Sequence, residues 1–118
     1  MNYFISLDEA KKMTALYRQQ KENILSQEYK GKDILSICET FDSEPFTSVL
    51  SKPECKKLRI YFGMSEDLKV HVIFVGVNEN NEDLLPAVST PGTTITFDIG
   101  EQGQLCPPIC PPPSPLNS

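Results

Sequence analysis

The side chains best suited to chemistry in this sequence are two cysteines close to its C-terminal end, Cys106 and Cys110. Their C-x3-C spacing differs from the C-x2-C spacing of common zinc ribbons and fingers. In extended polyproline II conformation, at about 3.1 Å per residue, their Cα atoms would lie roughly 12 Å apart. Because a disulfide needs Cα atoms within about 7 Å, a bridge between them requires a bend, for example a cis-proline turn.

Two further cysteines, Cys38 and Cys55, would complete a four-cysteine zinc site with the tail pair if the tail bends back toward them. Cys38 lies in an apolar stretch, which is typical of a core thiol. Cys55 lies between Glu54 and two lysines, which is typical of an exposed loop thiol. Zinc ligation, a disulfide and free thiols all remain open, and the composition favours free thiols. Zinc is the one cofactor that the residues suggest.

The single histidine, His71, sits in a run of valines and isoleucines. To act as a catalytic base or a metal ligand it would have to meet Cys38 or Cys55 in space, and a hydrolase would use Cys55 with it. A lone histidine on a strand is more often structural. The glycine-rich nucleotide, Walker, HExxH and GxSxG motifs are absent from the sequence. We therefore predict no catalytic residues and a protein that is not an enzyme.

A small α+β domain is predicted to position these side chains. Ser6 to Glu9 form a capping box, and the apolar residues that follow recur at helical spacing, which predicts a helix from about Leu7 to Ser26. Residues 58–63 and 69–77 are rich in β-forming residues on either side of a turn. They predict an antiparallel hairpin at the centre of the sheet. The second of these strands is apolar on both faces, as expected for a central strand covered by helices.

Shorter elements complete the prediction. Asp42 is typical of a helix N-cap, and the helix that it begins should end before Pro53. Residues 34–41 are ambiguous between a short strand and an irregular buried link, whereas the alternation in residues 94–99 predicts a third strand that ends at Gly100. The predicted fold class is α+β, with a small antiparallel sheet of about three strands packed against two helices.

Composition changes sharply after Gly103, because residues 106–115 include six prolines. Proline lacks a backbone donor and favours polyproline II. We therefore predict one domain over residues 1–103 and an irregular, non-globular Cys/Pro-rich tail over residues 104–118. The tail has the P-x-x-P spacing that SH3-type grooves bind, but it lacks a flanking arginine. We expect the tail to lie along its own sheet or along a neighbouring protomer.

The charges are unevenly placed along the chain. All 11 Lys and Arg precede residue 70, whereas residues 70–118 carry acids only, and the net charge is −5. An acidic C-terminal half repels phosphates, which argues against a nucleic-acid partner. The longest apolar run, residues 72–77, is too short to span a bilayer, and the N-terminal residues lack a signal-peptide pattern. We expect no membrane association and a cytoplasmic location, in which cysteines stay reduced.

Two motifs together resemble those of a known family. The strand motif is Arg59-Ile60-Tyr61-Phe62-Gly63, and the tail motif is Cys106-Pro107-Pro108-Ile109-Cys110-Pro111. With these motifs the chain resembles a family of small uncharacterised bacterial proteins, and the order of elements is similar across the domain. The family has no known function, so the resemblance implies none for this chain.

The sequence predicts a small non-catalytic interaction or structural module. Its tail would dock on its own domain or on a partner, which is either another protein or a second copy of the chain. The alternative is a thiol- or zinc-binding protein that uses the tail cysteines, Cys106 and Cys110. The predicted interaction residues lie on an outward sheet face and in the tail: Arg59, Tyr61, Pro107, Pro108, Ile109 and Pro111.

Overall fold

The computed structural model of the chain describes residues 3–118. The elements are α1 (Leu7–Gln20), β1 (Cys38–Thr40), α2 (Ser43–Leu50), β2 (Lys57–Met64), β3 (Val70–Val77), β4 (Ile99–Gly100) and β5 (Gln104–Cys106), with one 3-10 turn at Gln27–Tyr29. Strands β2, β3 and β4 form a three-stranded antiparallel sheet in that order, and β1 pairs with β5 in a second antiparallel sheet. The predicted α+β class is confirmed.

Helix α1 begins at the predicted capping box, where the amide of Glu9 donates to Oγ of Ser6 at 3.1 Å. It ends at Gln20, earlier than the predicted Ser26. None of its residues is fully buried, so no burial of side chains in the core stabilises a further turn of a short helix. No helix in the described part of the chain is long and apolar enough to cross a membrane.

β2 and β3 form the predicted antiparallel hairpin at the centre of the sheet, which confirms that prediction. Its ladder runs from the pair Lys57–Val77 to the pair Met64–Val70, and β3 is the central strand. Helix α2 begins after its N-cap residue Asp42 and ends at Leu50, before Pro53, as predicted.

The core is centred on Phe74 in β3, which is completely buried. Its ring stacks on that of Phe46 in α2 at 4.0 Å between centroids and meets that of Phe41 edge-on at 5.4 Å. Gly100 in β4 lies directly opposite Phe74 in the ladder, so α2 and β4 both contact this ring. The buried apolar residues are Ile34, Val49, Phe74, Val75, Val77, Leu105 and Cys106.

The predicted third strand over residues 94–99 is wrong for most of its length, since only Ile99–Gly100 pairs with β3. The Asp98 carboxylate accepts a hydrogen bond from Oγ1 of Thr96 and forms an ion pair with Lys52. These contacts hold the segment away from the ladder. The apolar residues of the alternation, among them Phe97, lie at the surface instead of on a buried sheet face.

The first residues of the predicted non-globular tail belong to a sheet. Gln104–Cys106 form β5, which pairs with β1, and Leu105 and Cys106 are buried. The ambiguous segment before α2 thus contains the short strand β1. Further along the tail, the Arg18 guanidinium in α1 donates to the carbonyl oxygen of Leu116 at 2.6 Å. The described tail therefore lies against its own domain.

Candidate functional site

The two tail cysteines form a disulfide, with Cα atoms 4.6 Å apart. The peptide bonds Cys106–Pro107 and Pro107–Pro108 are cis, and they supply the bend that an extended tail lacks. Cys106 and Cys110 are therefore not the free thiols that the composition favours. Cys38 and Cys55 are free.

The four cysteines proposed as zinc ligands are not gathered into one cluster. Cys38 lies directly opposite Cys106 in the β1–β5 ladder. The Cys55 thiol lies beside Gly76 of β3 and donates to the carbonyl oxygen of Lys57 at 3.3 Å. Within residues 3–118, no group of three metal-ligating side chains includes a cysteine.

The predicted interaction residues of β2, Arg59 and Tyr61, both bind Asp83 in their own chain. Nη1 of Arg59 donates to Oδ1 of Asp83 at 2.5 Å, and the Tyr61 hydroxyl donates to Oδ2 at 2.5 Å. Nη2 of Arg59 also donates to Oδ1 of Asn81 at 2.7 Å. The hydrogen bond from Tyr61, together with that from Arg59, lowers the pKa of Asp83. These contacts anchor the segment that follows β3 onto the face of β2.

We expect the Asp83 contacts to make stability depend on pH. An aspartate whose pKa is lowered in the folded state stabilises it above the unfolded-state pKa, about 3.9, and loses that contribution as the pH falls through the folded pKa. The difference in unfolding free energy between wild type and Asp83→Asn should therefore shrink as the pH falls from neutral to below about 3. Urea unfolding at a series of pH values measures it.

Glu79→Gln is the matched control for Asp83→Asn, because Glu79 is an exposed acid in the same region. Its unfolding free energy should follow that of wild type across the whole pH range. If the difference in unfolding free energy between wild type and Asp83→Asn stayed constant with pH, the ionised Asp83 carboxylate would not be the source of the stabilisation.

A second cluster joins three parts of the chain: Glu39 in β1, His71 in β3 and Glu101 directly after β4. Nδ1 of His71 lies 3.2 Å from Oε2 of Glu39 and 3.5 Å from Oε1 of Glu101. The Glu39 side chain is only 7% exposed, and its Oε1 accepts a hydrogen bond from the amide of Val72 at 2.9 Å. Gly103 packs against Glu39 so closely that a Cβ there would come within 2.5 Å of Cγ of Glu39. Glu39 is therefore held in place on both sides.

A cavity of about 260 Å³ opens beside this cluster. Its lining includes His71, Glu101 and Gly103, together with Met64 and Ser65 from the end of the hairpin. Of the three residues, only His71 is a candidate from the sequence, because three ligands on separate segments have no spacing signature. Only the pairing of the strands brings them together.

The free edge of β2 is a further surface feature. In β3, the amides of Val70 and Val72 donate to Ile34 and Glu39, and the carbonyl of Gly76 accepts from Leu84. The backbone N–H and C=O groups of the even-numbered residues of β3 thus point away from β2. The even-numbered residues of β2 lie opposite them in the ladder. By the alternation of an antiparallel ladder, the backbone groups of these β2 residues point to the outer side of the sheet.

No described strand pairs with this outer side of β2. The edge residues are Leu58, Ile60, Phe62 and Met64, and the last three carry exposed apolar side chains, with Phe62 77% exposed. Helix α1 adds further exposed apolar residues, among them Met13. The radius of gyration is 16.7 Å, whereas a compact chain of this length is expected to have roughly 13.5 Å. The chain is therefore less compact than expected for its length, and these apolar side chains lie at its surface.

Comparison of the chain with protein-family models, with curated proteins and with solved structures finds no match.

Proposed function

We propose that the chain is a non-catalytic interaction module that pairs with a second copy of itself through the outer edge of β2. The free edge of β2 carries this proposal. Folded proteins usually keep sheet edges short, charged or covered, because unpaired backbone groups add strands readily. β2 has eight residues, and its edge exposes three large apolar side chains. These properties favour β-strand addition.

The positions of the outward backbone groups determine one favoured pairing. If β2 strands pair antiparallel about a two-fold axis at Tyr61, Leu58 lies opposite Met64, and Ile60 lies opposite Phe62. All four outward residues then form hydrogen-bonded pairs. A shift by two residues in either direction removes at least one of these pairs. The Ile60–Phe62 pair is also the aromatic and β-branched combination that stabilises neighbouring strands by about 0.2–1 kcal/mol.

Self-complementarity of the edge favours a second copy of the chain as the partner. In the register centred on Tyr61, the same four outward residues form both sides of the new ladder. The exposed apolar side chains of Ile60, Phe62 and Met64 then lie beside apolar side chains of the other copy. A two-fold axis therefore satisfies the outward groups of both chains at once.

The contacts elsewhere in the molecule fit a non-catalytic module. His71 faces two carboxylates, and the thiol of Cys55 bonds a backbone carbonyl, so neither forms the base and nucleophile of a hydrolase. In the tail, the amide of Ile109 donates to the carbonyl of Leu105 at 2.9 Å. The tail prolines Pro107, Pro108 and Pro111 thus follow a strand that is already paired with its own domain. We propose that the tail supports the domain and that β2 binds the partner.

The experiment is light scattering and analytical ultracentrifugation of the full chain over a range of concentrations. We expect a dimer for wild type and a monomer for Phe62→Asp, because the substitution puts a charge beside an apolar cross-strand partner. Phe97→Asp is the matched control, since Phe97 is 85% exposed on the segment before β4. It should remain dimeric. A monomeric wild type at high micromolar concentration would overturn the proposal.

A dimer that is insensitive to Phe62→Asp would be formed by another surface. That result would refute pairing through β2.

A further inference from the structure

We propose that Glu39, His71 and Glu101 bind one divalent transition-metal ion, of which Zn²⁺ is the test case. None of the three ligands lies on β2, and none is a cysteine. One imidazole nitrogen and two carboxylate oxygens are a donor set suited to zinc and to its first-row neighbours. The cavity beside the cluster would leave room for water or a further ligand at the remaining coordination position.

The spacing of the donor atoms fits a single ion. Ligands about 2.0–2.1 Å from a tetrahedral zinc ion lie roughly 3.3–3.4 Å from one another. Nδ1 of His71 lies 3.2 Å from the Glu39 oxygen and 3.5 Å from the Glu101 oxygen. The three donor atoms all lie within 4.8 Å of one another. Small rotations of the Glu101 side chain, the most exposed of the three, would bring all three donor atoms within bonding distance of one ion.

The charges also suit a divalent cation at this position. Two carboxylates converge on one ring nitrogen of His71, and a nitrogen without a proton would present its lone pair to both. A protonated Nδ1 has one hydrogen, so it can donate a well-aligned bond to only one of the carboxylates. A divalent ion would bind all three donors and balance both negative charges, including that of the nearly buried Glu39.

The surroundings hold one ligand in place and leave the site accessible. The amide of Val72 bonds Oε1 of Glu39, which fixes the carboxylate with Oε2 toward His71. Such outer contacts orient ligands in protein metal sites, and their loss typically weakens metal binding about 10–100-fold. The side chains of His71 and Glu101 are 23% and 37% exposed, so an ion has a path from solvent.

The test is calorimetric titration of the full, metal-free chain with Zn²⁺, with thermal melting as a second readout. We expect saturable binding of one ion per chain and a higher melting temperature. His71→Gln and Glu101→Gln should each weaken binding at least about tenfold. Glu79→Gln, which removes an exposed carboxylate elsewhere, should bind as wild type does. Circular dichroism checks that each variant is folded.

Co²⁺ distinguishes this site from a cysteine site. Bound to imidazole and carboxylates, Co²⁺ should give visible d–d absorption without a near-ultraviolet thiolate charge-transfer band, and His71→Gln should abolish the visible bands. A thiolate band would assign the metal to Cys38 or Cys55 and overturn the proposal. Absence of saturable Zn²⁺ binding, or binding unaffected by both substitutions, would also overturn it. Phe62→Asp should retain Zn²⁺ binding, so this result is independent of dimer formation.

Discussion

Gly100→Ala is expected to lower the free energy of unfolding by about 1–3 kcal/mol, as overpacking of a filled core does. A Cβ at Gly100 would overlap Cζ of Phe74. The ring has little room to withdraw, because it is stacked on Phe46 and meets Phe41 edge-on. A single added carbon must therefore displace either β4 or the most buried ring of the domain. Urea unfolding followed by circular dichroism measures the loss.

Gly92→Ala is the matched control, since no heavy atom beyond its two neighbours in the chain lies within 4 Å of the position its Cβ would occupy. Its stability should stay within about 0.5 kcal/mol of wild type. Combining Gly100→Ala with Phe74→Leu should cost less than the sum of the two single changes, because the smaller side chain makes room for the methyl group. If Gly100→Ala proved as stable as wild type, the packing of β4 against Phe74 would be disproved.

The elements that sequence analysis predicted correctly are those with strong local signals. The start of α1 follows from the Ser6–Glu9 capping box, and the hairpin follows from two β-rich runs around a turn. The end of α1 could not be predicted in the same way. It depends on tertiary packing, and α1 has no buried residue to extend it. Helical periodicity alone therefore predicted a longer helix than the domain stabilises.

Alternation of apolar and polar residues predicts strands less well where polar contacts compete with the hydrogen bonds of the ladder. The alternation of residues 94–99 predicted a strand, but Asp98 binds Thr96 and Lys52 and draws the segment away from β3. The opposite error occurred in the tail, where the high proline content predicted no strand although residues 104–106 form β5. Its residues Leu105 and Cys106 are buried before the proline run has begun. The average composition of the tail does not show where β5 ends and the proline run begins.

The candidate sites depend on strand pairing, which the sequence does not specify by spacing. Glu39 reaches His71 only because β1 brings it to the edge of β3, and Glu101 does so only because β4 pairs with β3. The β2 edge is only partly encoded in local sequence. The sequence predicts the hairpin and the central position of its second strand, but no local signal shows that β2 stays unpaired on its other side or that Phe62 is exposed.

Loss of the Cys106–Cys110 disulfide is expected to lower the free energy of unfolding by about 2 kcal/mol, from the loop-closure entropy of so short a loop. The bond joins residues four apart in sequence and holds the end of β5, where Cys106 is fully buried. Cys110→Ser removes the bond at the exposed cysteine and leaves Cys106 in the core. Urea unfolding of wild type with and without reductant, beside this variant, measures the contribution.

Reductant should destabilise wild type but leave Cys110→Ser unchanged. A thiol count on protein kept free of reductant should find the two thiols of Cys38 and Cys55, rising to four after reduction. Four thiols without reductant would contradict the bond. Since Glu39 pairs with Leu105 in the β1–β5 ladder, loosening β5 removes support from the carboxylate of the proposed metal site. Cys110→Ser, measured without reductant, should therefore weaken Zn²⁺ binding while leaving the β2 dimer intact, because β5 and β2 belong to different sheets.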